Sequence, residues 1–309
     1  MAENLITKVK RIRNILESFE KTEDKAVELS KKIPPASIFV AICGAEIESD
    51  SFEILDSFVT LRRVTNPPGI IHIAAAANHS QSDYLGVGRY SANIQAEITI
   101  GNPDIQCETS FLFGVAWHMA AMLKLKSTSA LFCPVAATIS WDTISSVSDN
   151  SVNFYMLDDF PRQISLGSKT LISIDSIKWT KLYWKTAFEL RNSNSSRRFG
   201  LAFNNMYTWN QTTDPRIALA NIWIGLEALF GKQNDKYTTE SLARRISEWL
   251  PSKRDIDVVE LYGQRCDAVH GRWLDKKEIW YAIKKSESLL SSALIKCIEK
   301  DIKPLPDWK

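Results

Sequence analysis

In the segment Tyr262-Gly263-Gln264-Arg265-Cys266-Asp267-Ala268-Val269-His270-Gly271, an Arg stands five residues before a His, and a Gly follows at once. A guanidinium stays cationic at any working pH, and an imidazole gives or takes a proton near neutrality. The pair suits attack on a phosphodiester. The His moves protons, and the Arg stabilises charge building on the phosphate oxygens. The spacing alone decides little: with four His and 15 Arg in 309 residues, chance gives such a pair roughly 0.2 times. On an ideal helix the two side chains point about 140° apart and lie ~7.5 Å apart along the axis. They border one groove only if the helix ends at the His. Gly271 predicts that it does, because Gly is the usual residue just past a helix C-terminus.

A carboxylate stands upstream in apolar company. Glu227 is the only charge in the run from Ala220 to Gly231. This run reads as an apolar helix that begins near Asp214-Pro215, a good N-cap and first-turn pair, and closes at Gly231. A lone carboxylate on such a helix needs a partner, and Arg265 or Arg245 can supply it. In one reading Glu227 orients Arg265 beneath a phosphate; in the other the pair is a plain salt bridge. Arg245, Lys253, Arg254 and Arg272, with Arg244, form a basic cluster that can track an RNA backbone. Glu240, Glu248, Asp255 and Asp257 balance it, so a solvated face is the rival reading. Trp273, Trp280 and Tyr281 offer rings for stacking on bases, or simply a core.

The elements that must position these groups are helical. Helices are predicted over about 175–192, 199–209 and 238–250, from about 255 into the Arg–His segment, and over 276–300. Pro251 stops the one before it. The polar stretches 192–196 and 232–237 are breaks.

This order resembles the C-terminal domain of the ApeA-like HEPN family. The resemblance rests on Leu-Glu-Ala-Leu-Phe-Gly at 226–231, Arg-x4-His-Gly at 265–271 and the spacing between them. It covers about 175–305 and is strongest over 217–272. It implies a helical bundle and a metal-independent ribonuclease whose Arg-x4–6-His site forms across a homodimer. By position it implies Arg265 and His270 as catalytic residues and Glu227 as an auxiliary. It also implies a role in bacterial antiphage defence or a toxin-like system. The N-terminal domain would then be a sensor or restraint that takes a regulatory ligand or a phage component. Active members often carry Asn, Asp or His after the motif Arg, where this chain has Cys266. That departure supports the alternative of a non-catalytic RNA- or protein-binding HEPN module. A nucleotide-binding regulatory domain using Arg265 for phosphate contact is a third reading.

Ahead of this region the chain reads differently. Leu5, Val9, Ile12, Leu16 and Phe19 lie on one stripe of a helix over 3–33, ended by Pro34-Pro35. Residues 36–165 are strand-rich: 37–43, 70–76, 131–140 and 152–157 are strand candidates. Ile94, Ala96, Ile98 and Ile100 alternate with polar residues as in a half-buried strand. One helix over about 110–126 interrupts them. The expectation is an α+β domain at 1–170 and an all-α HEPN-like bundle at 171–309.

Composition sets outer bounds. Hydrophobic residues make up 45% and charged residues 24%, with a net charge of +2, so RNA must meet a local patch rather than a basic coat. The five Cys are scattered, as in a reducing cytoplasm, and no signal peptide is visible. The longest apolar run, 111–123, is too short to span a bilayer. Gly86-Val87-Gly88 reads as a loop rather than a phosphate cradle. His72 and His79 have no ligand partners at zinc spacing, so no metal and no cofactor are expected.

Overall fold

The computed structural model describes residues 37–55, 58–78, 87, 90, 93–101, 107–127, 131–157, 170–193, 197–231, 239–272 and 275–302. The expected helix over 3–33, the breaks at 194–196 and 232–237, and the residues His79, Gly86, Gly88 and Trp273 lie outside this set. An N-terminal antiparallel sheet region is followed by a largely helical C-terminal part.

Ser37–Cys43 forms β1, at the centre of a six-stranded antiparallel sheet. Its near-continuous apolar run suits a strand covered on both faces. Ala45–Ile47 is β2, Ser51–Leu55 β3, Val59–Arg63 β4 and Ile94–Gly101 β5. Val135–Ala137 is β6, Phe154–Met156 β7 and Thr170–Ile172 β8. The large sheet runs β3-β4-β5-β1-β6-β7, while β2 and β8 pair in parallel as a small second sheet. The strands expected over 131–140 and 152–157 shrink to β6 and β7, extended by isolated bridges at Phe132 and Val152. β2, β3, β4 and β8 were not foreseen.

Two expectations are corrected here. Residues Ile70–Ala76 form a helix, α1, and not a strand. The buried side chains are Ile73 and Ala76, three apart, which is helical spacing. Pro67-Pro68-Gly69 leads in, and the Gly69 N–H donates to His72 Nδ1 at 3.2 Å. Along β5 the polar set is also not uniformly solvated, because Glu97 is fully buried. Arg62, its register partner on β4, donates to Glu97 Oε1 from Nε at 3.0 Å and from a terminal nitrogen. The Trp141 N–H donates to Oε2 at 2.8 Å and the Ser140 hydroxyl to Oε1 at 3.0 Å. Burial still raises the Glu97 carboxyl above its ordinary range, against these stabilising bonds.

The helices are α2 Thr109–Ser127, α3 Ile174–Asn192, α4 Arg197–Thr208 and α5 Pro215–Phe230. They continue as α6 Thr239–Trp249, α7 Val258–Val269 and α8 Lys276–Lys300. Their bounds follow the sequence signals. The Asp214 side chain accepts the Arg216 N–H at 2.9 Å with Pro215 in the first turn. Asp275 caps α8, and Glu278 returns a bond to the Asp275 N–H at 2.9 Å.

Contacts divide these elements into two compact units, and not at a single cut. One holds the strands, α1, α2 as far as Ala120 and α3 as far as Lys181; the other holds α2 from Ala121, α3 from Leu182 and α4–α8. In the helical unit α5 packs on α4, α7 and α8. A Cβ at Gly225 would stand 2.8 Å from a Leu290 methyl, so any larger residue would push the Leu290 side chain aside where α5 and α8 cross.

The core of this unit contains charge. Lys124 and Glu287 are both buried, at 0% and 3% exposure. Lys124 Nζ donates to the Tyr207 carbonyl and to Asn210 Oδ1, and it lies 5.3 and 5.5 Å from the Tyr207 and Trp209 ring centroids. Burial pushes the Glu287 carboxyl up to about 7, although Lys124 and then Lys284 draw it down. The Ser291 hydroxyl donates to the Leu125 carbonyl at 2.8 Å.

Candidate active site

The site is built on two neighbouring helices, α5 and α7. Trp223 and Glu227 stand one turn apart on α5, and Tyr262 and Arg265 one turn apart on α7. The Arg265 guanidinium reaches Glu227 Oε1 at 3.3 Å, with the side chains 20% and 29% exposed. Of the two partners foreseen for Glu227, the structure selects Arg265. Arg245 instead donates to Ser241 Oγ at 3.3 Å on its own helix.

The same guanidinium lies 5.5 Å from the centroid of the Tyr262 ring, within cation–π range. Tyr262 meets the fully buried Trp223 edge to face, with centroids 5.3 Å apart. The four side chains close a circuit between the helices. Arg265 Nε is buried with no hydrogen-bond partner among the described residues. Burial raises the Glu227 carboxyl above the usual range, and Arg265 draws it partway back. Burial is also the first cause raising the Tyr262 phenol, followed by the Glu227 charge.

Glu227 is held in register from its own helix end. An Arg198 terminal nitrogen donates to the Gly231 carbonyl, and to the Glu227 carbonyl at 3.4 Å. A Cβ on Gly231 would sit 2.6 Å from the Glu227 carbonyl oxygen, so glycine is required here for space; its φ of −72° is ordinary.

α7 ends where the Gly signal placed its end. His270 is the C-cap and Gly271 follows at φ +74°, a left-handed conformation that glycine adopts readily. The Arg272 N–H donates to the Asp267 carbonyl at 2.9 Å and the Gly271 N–H to that of Ala268 at 3.3 Å. These are the two bonds of a Schellman ending. His270 is exposed at this end, and among the described residues its ring makes no hydrogen bond or ion pair. Arg265 therefore sits against α5 while His270 faces solvent at the helix terminus.

The basic cluster is dispersed in role. Lys253 donates to Ser288 Oγ at 3.0 Å, and Arg272 pairs with Asp267 at 2.9 Å. Arg244 pairs with Glu248 at 3.9 Å on α6, and Arg254 is exposed. Tyr281 is 52% exposed with Lys285 Nζ 5.6 Å from its ring centroid, so it presents a face to solvent, whereas Trp280 is half-buried. Sequence reasoning did not single out Trp223, Tyr262 or Arg198. The one available signal was Tyr262, three residues before Arg265 and therefore on the same side of α7.

Among the described residues no three His, Cys, Asp or Glu side chains gather as a metal site, and no helix is long and apolar enough to cross a membrane. No protein-family model, curated protein or solved structure matches the chain.

Proposed function

We propose that the helical unit is a metal-independent endoribonuclease of HEPN type, acting in antiphage defence or as a toxin. The N-terminal sheet region is its sensor or restraint. The observation that carries this reading is the fixed Arg265, braced by Glu227 from the neighbouring helix, together with a solvent-facing His270 that ends the same helix. In the reaction an imidazole removes the proton of a ribose 2′-hydroxyl, whose oxygen attacks the adjacent phosphorus. The 5′-oxygen leaves with a proton from an imidazole, giving a 2′,3′-cyclic phosphate and a 5′-hydroxyl. Arg265 stabilises the added charge on the phosphate oxygens.

Transesterification needs a base and an acid, and one chain offers one such imidazole. A homodimer supplies both. The outer face of α7 supports this: Val259 and Val269 are 44% and 50% exposed, with half-exposed Tyr262 and Cys266 between them. Ile224, 40% exposed, stands three residues before Glu227 on α5. A second copy covers this apolar face and brings a second Arg265 and His270 to one phosphate, through an isologous contact.

One observation favours the other reading, a non-catalytic RNA- or protein-binding module. Glu227 neutralises the charge that Arg265 would offer to a phosphate. Incubation of labelled single-stranded RNA with the wild type, Arg265→Ala and His270→Ala separates the two. Cleavage by the wild type alone supports the nuclease. Binding without cleavage by the wild type supports the module.

A further inference from the structure

We infer that Tyr262 is the positioning residue for Arg265: its ring forms the floor on which the guanidinium lies while Glu227 holds one edge. This rests on the ribonuclease reading for its consequence, though not for its geometry.

An arginine side chain has four rotatable bonds, and each contact that orders it must offset lost rotamer entropy. The Glu227 contact is one. At 3.3 Å between single atoms it holds one terminal nitrogen and does not by itself set the guanidinium plane. Tyr262 removes that freedom. Its ring centroid is 5.5 Å from the guanidinium carbon, and the quadrupole of an aromatic face attracts a cation. The ring itself cannot turn aside, because Trp223, fully buried on α5, abuts it edge to face at 5.3 Å. Arg265 is thus clamped by one anion and one ring, each itself anchored to α5.

The consequence is a division of labour. The ring, not the hydroxyl, does the holding, so Phe should replace Tyr and an aliphatic residue should not. A clamp of this kind affects the transition state more than the ground state, since misplacing a charge by about an ångström costs rate steeply.

Two measurements on the full chain test this. The first needs no RNA. In 15N-arginine-labelled protein, the Arg265 Nε–H resonance is identified by its loss in Arg265→Lys. The proposal expects slow solvent exchange in the wild type and in Tyr262→Phe, and exchange at least about tenfold faster in Tyr262→Leu. Equal exchange in wild type and Tyr262→Leu overturns the clamp. The second is steady-state cleavage of RNA. Tyr262→Leu should lower kcat by about 10- to 100-fold with KM within about threefold, and Tyr262→Phe should stay within about twofold of wild type. Equal loss in Phe and Leu variants overturns the ring's role, as does an unchanged kcat in Tyr262→Leu. If the wild type cuts no RNA, the ribonuclease reading fails, and the exchange experiment still decides the clamp.

Discussion

The Glu227 carboxylate and the Arg265 guanidinium meet at 3.3 Å across α5 and α7, each mostly withdrawn from water. His270, on the same helix as Arg265, is exposed. The two site residues should therefore behave alike in activity and differently in stability.

Arg265→Ala and His270→Ala should each abolish RNA cleavage. Arg265→Ala also leaves a half-buried carboxylate unpaired and should destabilise the protein by about 1–3 kcal/mol. His270→Ala should change stability by no more than about 0.5 kcal/mol. Urea unfolding of both variants checks the difference. Adding Glu227→Gln to Arg265→Ala should restore part of the loss, because the stranded charge is gone.

Subunit mixing tests the composite site. With freely exchanging subunits, excess His270→Ala chain should depress cleavage below the value given by dilution of wild-type chains. Activity strictly proportional to the wild-type fraction, or full activity from a monomer on a sizing column, would exclude a shared site.

On the proposed reaction, in which the 2′-hydroxyl attacks and the imidazoles move the protons, cleavage should persist in EDTA. DNA of the same sequence should remain intact. A requirement for added magnesium would show that the proton-transfer scheme is wrong.

The buried carboxyl of Glu287 gives the helical unit a pH signature. Its pKa is about 7 in the folded chain against an ordinary 4.5. The folded state thus holds a proton that the unfolded state releases between these values. Stability should fall as pH rises across this window, by up to about 3 kcal/mol, and be fully present below pH 4.5. The raised carboxyls of Glu97 and Glu227 act in the same sense and the lowered ones of Asp149 and Asp214 in the opposite sense, so the Glu287→Gln variant is the control. It should be more stable than wild type at pH 8 and lose its advantage near pH 4.5.

Lys124→Met should remove several kcal/mol of stability, about 3–5, because it takes away the donor to the buried Tyr207 carbonyl and Asn210 and the charge that draws down the buried Glu287 carboxyl. Pairing it with Glu287→Gln should recover part of that. For the same reason residues 171–309 expressed alone should melt without a cooperative transition, as followed by circular dichroism.

How much of this was legible in the sequence depended on whether the signal was local. Caps and stops are local chemistry, so Asp214-Pro215 and Gly271 placed helix ends correctly. The alternation over 94–100 gave β5. Ile70–Ala76 misled because a short apolar run fits either period, and the Pro67-Pro68-Gly69 entry that favours a helix was not weighed. Glu97 misled for another reason, and the role of Lys124 was not foreseen at all. A charged residue reads as solvent-facing until its partners are known, and these lie far along the chain: Ser140 and Trp141 for Glu97, Tyr207 and Asn210 for Lys124. At the site, Glu227's need for a partner was legible from its apolar helix. The choice of Arg265 over Arg245 was not, because it depends on how α6 and α7 pack beside α5.

The last turns of α2, from Ala121, belong to the helical unit although the sheet region's strands β6, β7 and β8 follow them in the chain. The polypeptide enters the bundle, leaves it and returns. Such a bundle is poorly suited to inheritance as a cassette. A recombination joint placed between the sheet region and α4 would hand its new host a helical unit lacking Lys124, with Asn210 and Glu287 left facing a gap. Descendants that exchange their sheet region while keeping their helices must therefore carry over the α2 segment, and engineered chimaeras face the same constraint.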